Sequence, residues 1–272
     1  MAKPQPQLAA LAAVFGADPR NAIHSARQAG FTGIQFDAHS QQLDVTELSA
    51  SGRRELRAIL RSSDLALCSL RISLGNKGLV GDADVDAALA RLDAVLAAAV
   101  GLGAPAVCVD IGPLPEAKNP EPDSAATVDR ALGELGAVAD RYSVAVAFRS
   151  ELAGFAQIER ALRAADCAWF GIDLDPVAVL RDEWSMDEVF SRLGRMIRHV
   201  RGRDAILGVG HRTSAAPILR GSTRWDQLLA RLDESDYRGW ISVDSLELPN
   251  PGAAAVAAAA ALGSLLGRPP SP

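Results

Sequence analysis

Cysteine is scarce. Only Cys68, Cys108 and Cys167 occur in 272 residues, too widely spread for a disulfide framework and at no spacing that suits zinc. Each lies in an apolar run, so all three are expected as small buried side chains in a reducing, cytoplasmic setting. There is no strongly apolar run of membrane-spanning length. The longest low-charge stretch, Pro251 to Leu266, is built of alanine rather than leucine and reads as a terminal helix on the protein surface. The opening MAKPQPQ lacks a charged segment followed by an apolar one, so no secretory signal is expected there. Nucleotide and hydrolase signatures are missing too. No Gly-x-Gly-x-x-Gly follows the first predicted strand, and Gly208-Val-Gly210-His211 fails at the third glycine. There is no Walker-type Gly-Lys-Ser/Thr loop, no Gly-x-Ser-x-Gly elbow and no His-Glu-x-x-His. Excess positive charge is also absent: 28 basic against 33 acidic residues gives −5. That balance argues against a nucleic-acid or acidic-membrane binder.

What the chain does have is an ordinary globular composition, 49% hydrophobic and 22% charged. This excludes a disordered chain, a collagen-like repeat and a coiled coil. Its organisation is a strict alternation of short apolar runs and longer amphipathic segments. The expected strands are 8–15, 33–37, 65–72, 106–111, 144–149, 169–175, 197–203 and 240–244. The expected helices are 19–29, 49–62, 84–101, 124–141, 155–165, 186–195, 225–234 and 252–266. In the third helix apolar residues recur every three to four positions, Asp84 and Asp86 suit the positive end of the dipole, and Gly101 and Gly103 follow as a C-cap. Val107-Cys108-Val109 is apolar throughout, as in a parallel strand covered on both faces.

Alternating strands and helices require parallel strands with crossover connections. Eight such units in a chain of this length predict an α/β fold, a single (β/α)8 TIM barrel spanning residues 1–272, with 1–7 and 267–272 as frayed tails. The Pro-rich segment 113–122 reads as a long loop on the C-terminal face. Functional residues of such barrels lie at the C-terminal strand ends. The candidates there are Asp37 with His39, Arg71, Asp110, Arg149 with Glu151, Asp173 with Asp175, Arg201 with Arg203 and Asp204, and Asp244 with Glu247.

Four stretches carry a resemblance. They are Gln28-Ala-Gly-Phe-Thr-Gly-Ile-Gln-Phe-Asp37, Gly171-Ile-Asp-Leu-Asp175, His199-Val-Arg-Gly-Arg-Asp204 and Asp236-Tyr-Arg-Gly-Trp-Ile-Ser-Val-Asp244. Together they resemble the xylose isomerase-like TIM barrels, which include sugar-phosphate isomerases/epimerases and type-2 AP endonucleases. The resemblance implies one divalent metal, such as Mg, Mn or Zn, held by Glu, Asp, His and Glu at the ends of strands five to eight. Here the strand-five position aligns with Phe148 and the strand-six position with Asp175. Ala178 falls where a further His often follows. Strand seven offers Arg201, and strand eight the shorter Asp244. Arg has no acceptor atom and repels a cation, so no metal or other cofactor is expected, and Arg201 is expected to bridge Asp175 and Asp244.

Arg71, Arg149, Arg201 and Arg203 have two readings: a cationic pocket for an anionic group, or ion pairs that close the barrel mouth. His39 and His211 are candidate acid/base groups in loops, and Asp37 and Glu247 candidate partners for substrate hydroxyls. His199 reads as a satisfied buried imidazole, His24 as a solvated one, and Trp184 and Trp225 as packing residues. Two functions remain open. One is a sugar or sugar-phosphate isomerase/epimerase using Asp175 and Asp244 as acid/base pair and Arg201 as electrophile. The other is a non-catalytic carbohydrate-binding protein on the same scaffold. Barrels of this type often form homodimers, and no segment of the sequence marks an interface.

Overall fold

The computed structural model of the protein describes residues 5–80 and 84–268. Chain order is β1 (Gln7–Leu11), α1 (Pro19–Gln28), β2 (Gly33–Asp37), α2 (Ala50–Ser62), β3 (Ala66–Ser73), α3 (Val85–Leu102) and β4 (Ala106–Asp110). There follow α4 (Pro122–Tyr142), β5 (Ala145–Arg149), α5 (Phe155–Ala165), β6 (Phe170–Leu174), α6 (Pro176–Arg181), α7 (Met186–Leu193) and β7 (Ile197–Gly202). The chain continues through β8 (Asp204–Leu207), β9 (Thr213–Ala216), α8 (Trp225–Glu234), β10 (Trp240–Val243) and α9 (Pro251–Leu265). Eight parallel strands close in the order β1-β10-β7-β6-β5-β4-β3-β2, and β8 and β9 form a separate antiparallel hairpin. This is the (β/α)8 barrel that the alternation predicts.

Several local expectations are corrected. The first strand stops at Leu11, and Ala12–Phe15 is a 3-10 turn ending at Gly16, whose φ is 112°. The run Leu8–Phe15 is apolar throughout, so no change of period marks where the strand ends. The sixth expected helix, 186–195, is α7, which ends at Leu193, and an additional short helix, α6, precedes it directly after β6. The β8–β9 hairpin is an insertion after β7 that the sequence does not announce, because Ile206 and Leu207 stay exposed and give no in/out alternation. The inner parts of the expected tails are tied down. The Gln7 amide donates to the Gly239 carbonyl at 2.9 Å, and the Arg268 guanidinium donates to the Pro6 carbonyl at 2.5 Å. Residues 1–4 and 269–272 of those tails lie outside the described residues.

The Tyr-Arg-Gly-Trp stretch has a structural explanation. The Tyr237 hydroxyl donates to the Trp240 carbonyl at 2.8 Å. The Trp240 ring lies where a side chain on Gly33 would be, with a Cβ there meeting the ring at 2.4 Å. Gly33 and Trp240 thus interlock on strands β2 and β10, which flank β1 where the barrel closes.

Candidate active site

Side chains alternate between barrel interior and helix layer along each barrel strand, so about every second residue of β1–β7 and β10 points inward. In most barrels these layers are branched aliphatics; here they are polar. In the deeper layer, the Gln35 amide donates to the Ser69 hydroxyl at 2.8 Å. The His199 ring bonds Asp173 through Nδ1 at 2.7 Å and Ser242 through Nε2 at 2.8 Å. The Ser242 hydroxyl also lies 3.4 Å from the Cys68 thiol. Cys68 and Cys108 are buried, but among polar groups rather than in the apolar core; Cys167 is only partly buried. Cys108, Asp173 and His199 bring three ligand-type atoms within 4.8 Å of one another. Both His199 nitrogens are already engaged by hydrogen bonds, so the cluster is a buried bonded network and not a cation cage. Burial pushes the Cys108 thiol up and keeps it neutral. Burial also opposes charge on His199 and Asp173. Their mutual attraction outweighs it, holding the imidazole well above its ordinary value and the carboxyl below.

Above this layer lies a lattice of alternating charge at the strand ends. Arg201 donates from Nε to Asp244 at 2.9 Å, and from Nη1 to Asp175 at 3.1 Å and Glu151 at 2.8 Å. Arg203 donates from Nε to both Asp175 oxygens (3.0 and 2.8 Å), from Nη1 to Glu247 and from Nη2 to Glu151, each at 2.8 Å. Arg71 donates to Asp37 at 2.6 Å and to Asp244 at 3.1 Å. Desolvation penalises every buried member, but the guanidiniums outweigh it, holding Asp175 well below the usual carboxylate range and lowering Asp244. Conversely, Asp175, Asp244 and Glu151 outweigh burial on Arg201 and lock in its charge.

The strand-five position needs correcting. Phe148 does not face the mouth: its ring stands edge-on to Phe170 with centroids 5.0 Å apart, and Phe170 lies beside Gly136 of α4. The inward residue at the end of β5 is its neighbour Arg149, in ion-pair contact with Asp110, Glu151 and Asp173. Of the four ligand positions that the resemblance implies, two therefore carry guanidiniums. The donors present do not fit a divalent metal, because Arg201 already bonds both remaining carboxylates directly.

A cavity of about 700 Å³ opens above the lattice, lined in part by Asp37, His39, Arg71, Arg149, Arg201, Asp244 and Glu247. Its size suits a small organic ligand. His39 is fixed there by Asp44, 2.8 Å from its Nδ1. Arg203 and Asp175 sit at the edge of the lattice rather than on the cavity wall. His211 is elsewhere: it lies at the turn of the β8–β9 hairpin, exposed, with Nε2 2.5 Å from Glu183. Trp184 packs on Phe155, and Trp225 is buried with its indole N–H on Asp204 at 3.3 Å. Glu151 is the residue that sequence reasoning undervalued. Its carboxylate joins Arg201 to Arg203, and only its place two residues after β5 hinted at this.

The model of the xylose isomerase-like TIM barrel family matches residues 23–265, so the chain belongs to that family. Similar solved structures include a xylose isomerase domain protein from Planctomyces limnophilus, 18% identical over 97% of this chain and 96% of that one, with a TM-score of 0.78. The IOLI protein with a binding zinc atom is 16% identical over 96% and 98%, with a TM-score of 0.77. A D-psicose 3-epimerase studied in the presence of D-fructose is 14% identical over 96% and 99%, with a TM-score of 0.74. At such identities the likeness is one of fold. Among curated proteins none matches the sequence. No helix among the described residues is long and apolar enough to cross a membrane.

Proposed function

We propose that the barrel mouth is a metal-independent sugar site of the isomerase/epimerase type, binding a small polyhydroxylated ligand in the cavity above the charge lattice. The observation that carries this is Arg201, whose guanidinium bonds Asp175 and Asp244 directly at 3.1 and 2.9 Å. It stands where the resemblance implies a metal ligand, and it supplies fixed positive charge in place of the ion's. Arg71, Arg149, Asp37, His39 and Glu247 present the donors and acceptors that ligand hydroxyls need, while Arg203 braces Asp175 from behind.

One observation favours binding without turnover. Asp175 and Asp244 are the candidate acid/base pair, yet arginine partners hold both carboxyls low. A general base works best with a pKa near the operating pH, so each is a weak base for removing a proton from carbon. Turnover, where it occurs, depends on Arg201.

Metal analysis of the purified protein, calorimetric titration with ketohexoses and product analysis after incubation test this together. Binding of sugar with less than stoichiometric metal, unaffected by chelation, is expected. Arg201→Ala should abolish any conversion, with added Mg²⁺ or Mn²⁺ giving the wild type no gain. Sugar binding or conversion lost on chelation would refute the proposal.

A further inference from the structure

Three of the four mouth arginines hydrogen-bond carboxylates; Arg149, among the described residues, makes only ion-pair contacts. It is only 8% exposed, yet its Nε is buried without a hydrogen-bond partner. Its contacts are ion pairs at longer range: Nε to Asp173 at 3.5 Å, Nη1 to Glu151 at 3.5 Å and to Asp110 at 3.8 Å. A buried guanidinium left this way is costly unless something else receives its N–H groups. Asp110 is similarly underused. Apart from Arg149, among the described residues it accepts only a long bond from the Gly112 amide at 3.4 Å. The two residues are register partners on β4 and β5 and line the same cavity. A donor and an acceptor thus stand side by side at the cavity wall, neither with a short hydrogen bond from the described residues.

Charge decides what they receive. Arg149 faces three carboxylates, and around the whole cavity five carboxylates meet four guanidiniums. There is no surplus of positive charge for a phosphate or carboxylate, and such a group beside Arg149 would press against Asp110 and Glu151. A hydroxyl both donates and accepts, so one hydroxyl of a vicinal diol takes an N–H from Arg149 while the other donates to Asp110. We infer that the mouth selects uncharged sugars over their phosphorylated or acidic counterparts, with Arg149 and Asp110 gripping a vicinal diol. This rests on the sugar-site proposal above and narrows it.

The test is calorimetric titration of the full chain with D-fructose, D-psicose and D-tagatose, against D-fructose 6-phosphate and D-gluconate. At least one ketohexose should bind, with the phosphate and the acid each weaker by roughly tenfold or more, as expected for like charges brought together. Arg149→Met and Asp110→Asn should each weaken the bound ketohexose about tenfold, the loss of one charge-assisted contact. Asp110→Asn should also narrow the margin against the phosphate. Arg149→Lys keeps the charge and loses the fork, so it stands in if the Met variant fails to fold, and it too should bind more weakly. Equal or tighter binding of the phosphate, or wild-type affinity in both Arg149→Lys and Asp110→Asn, overturns the inference and leaves the sugar site standing. Heat from none of the five compounds overturns both.

Discussion

Removing the Arg201 guanidinium is the most direct way to separate a charge lattice from a metal site. In Arg201→Ala, Asp244, Asp175 and Glu151 lose bonds of 2.9, 3.1 and 2.8 Å. Breaking a buried pair by deleting one partner costs about 3–5 kcal/mol when the other charge is stranded. Here neither buried carboxylate is stranded. Asp175 keeps Arg203 at 2.8 Å and Asp244 keeps Arg71 at 3.1 Å. The expected loss is therefore smaller, about 2–3 kcal/mol, against a total stability of roughly 5–15 kcal/mol. For a chain of this length that lowers Tm by about 5 °C. The variant also leaves three carboxylates around a vacated volume, a donor set that suits Mg²⁺ or Mn²⁺. Thermal melts with and without millimolar metal give the second readout. An ion at 100 times its Kd returns about 2.7 kcal/mol, so Mn²⁺ should restore most of the lost Tm in Arg201→Ala and leave the wild type unchanged. Equal stabilisation of both proteins by metal would mean that the wild type already has room for the ion. An unchanged Tm in the variant would mean that Arg201 is not part of the lattice.

The other expectations concern the same lattice and its supports. Asp175→Asn leaves Arg201 and Arg203 facing each other with one acceptor fewer, and urea unfolding should show a loss of about 3 kcal/mol. The pH dependence has a definite sign. Asp173, Asp175 and Asp244 are lowered on folding, so their stabilisation is full above the unfolded value of about 4 and disappears as pH falls towards the folded ones. Urea midpoints should therefore drop steeply below about pH 4, and less steeply in Asp175→Asn. His199 is raised, so its contribution is full below about 6.5 and is lost as pH rises through the folded value. Gly171→Ala places a Cβ 2.0 Å from the Met196 carbonyl oxygen; forcing β6 away from that carbonyl should cost about 1–3 kcal/mol, seen as a lower Tm. His211→Ala should leave sugar affinity within about twofold of wild type, because the ring is engaged with Glu183 outside the cavity and surface changes are usually near neutral.

The barrel was legible because its signal is global. Eight apolar runs separated by amphipathic segments leave few topologies, and each strand's identity survives an error of one or two residues at its ends. Boundaries were legible only where a residue type changed the chemistry. Asp18, Ser49 and Asp84 each cap a helix through a side-chain oxygen. The stretch from Leu8 to Phe15 offered no such mark. Nor did the β8–β9 hairpin, which Asp204 organises from within by accepting from the amides of Leu219, Gly221 and Thr223. Those bonds join residues 15 to 19 positions apart, beyond any local pattern.

The site needed orientation as well as position. Strand ends named Arg71, Arg149, Arg201, Asp175 and Asp244 correctly as neighbours at the mouth, but the period of two along β5 turns a one-residue offset into the opposite face of the sheet. Placing the strand-five ligand at Phe148 therefore pointed it into the helix layer, and the inward position belongs to Arg149. A divalent ion brings two positive charges to its ligands; here Asp175 meets Arg203 and Arg201, and Asp244 meets Arg201 and Arg71, so each buried carboxylate has two guanidiniums fixed to the chain. Asp175 and Asp244 can then stay ionised while buried, which two carboxylates sharing a low-dielectric site without a counter-charge could not do. The lattice thus supplies from within the chain the counter-charge that these two carboxylates need. Arg149 on β5, whose ion-pair contacts are 3.5 to 3.8 Å long, and Asp110 beside it on β4 are the groups we infer to meet a ligand.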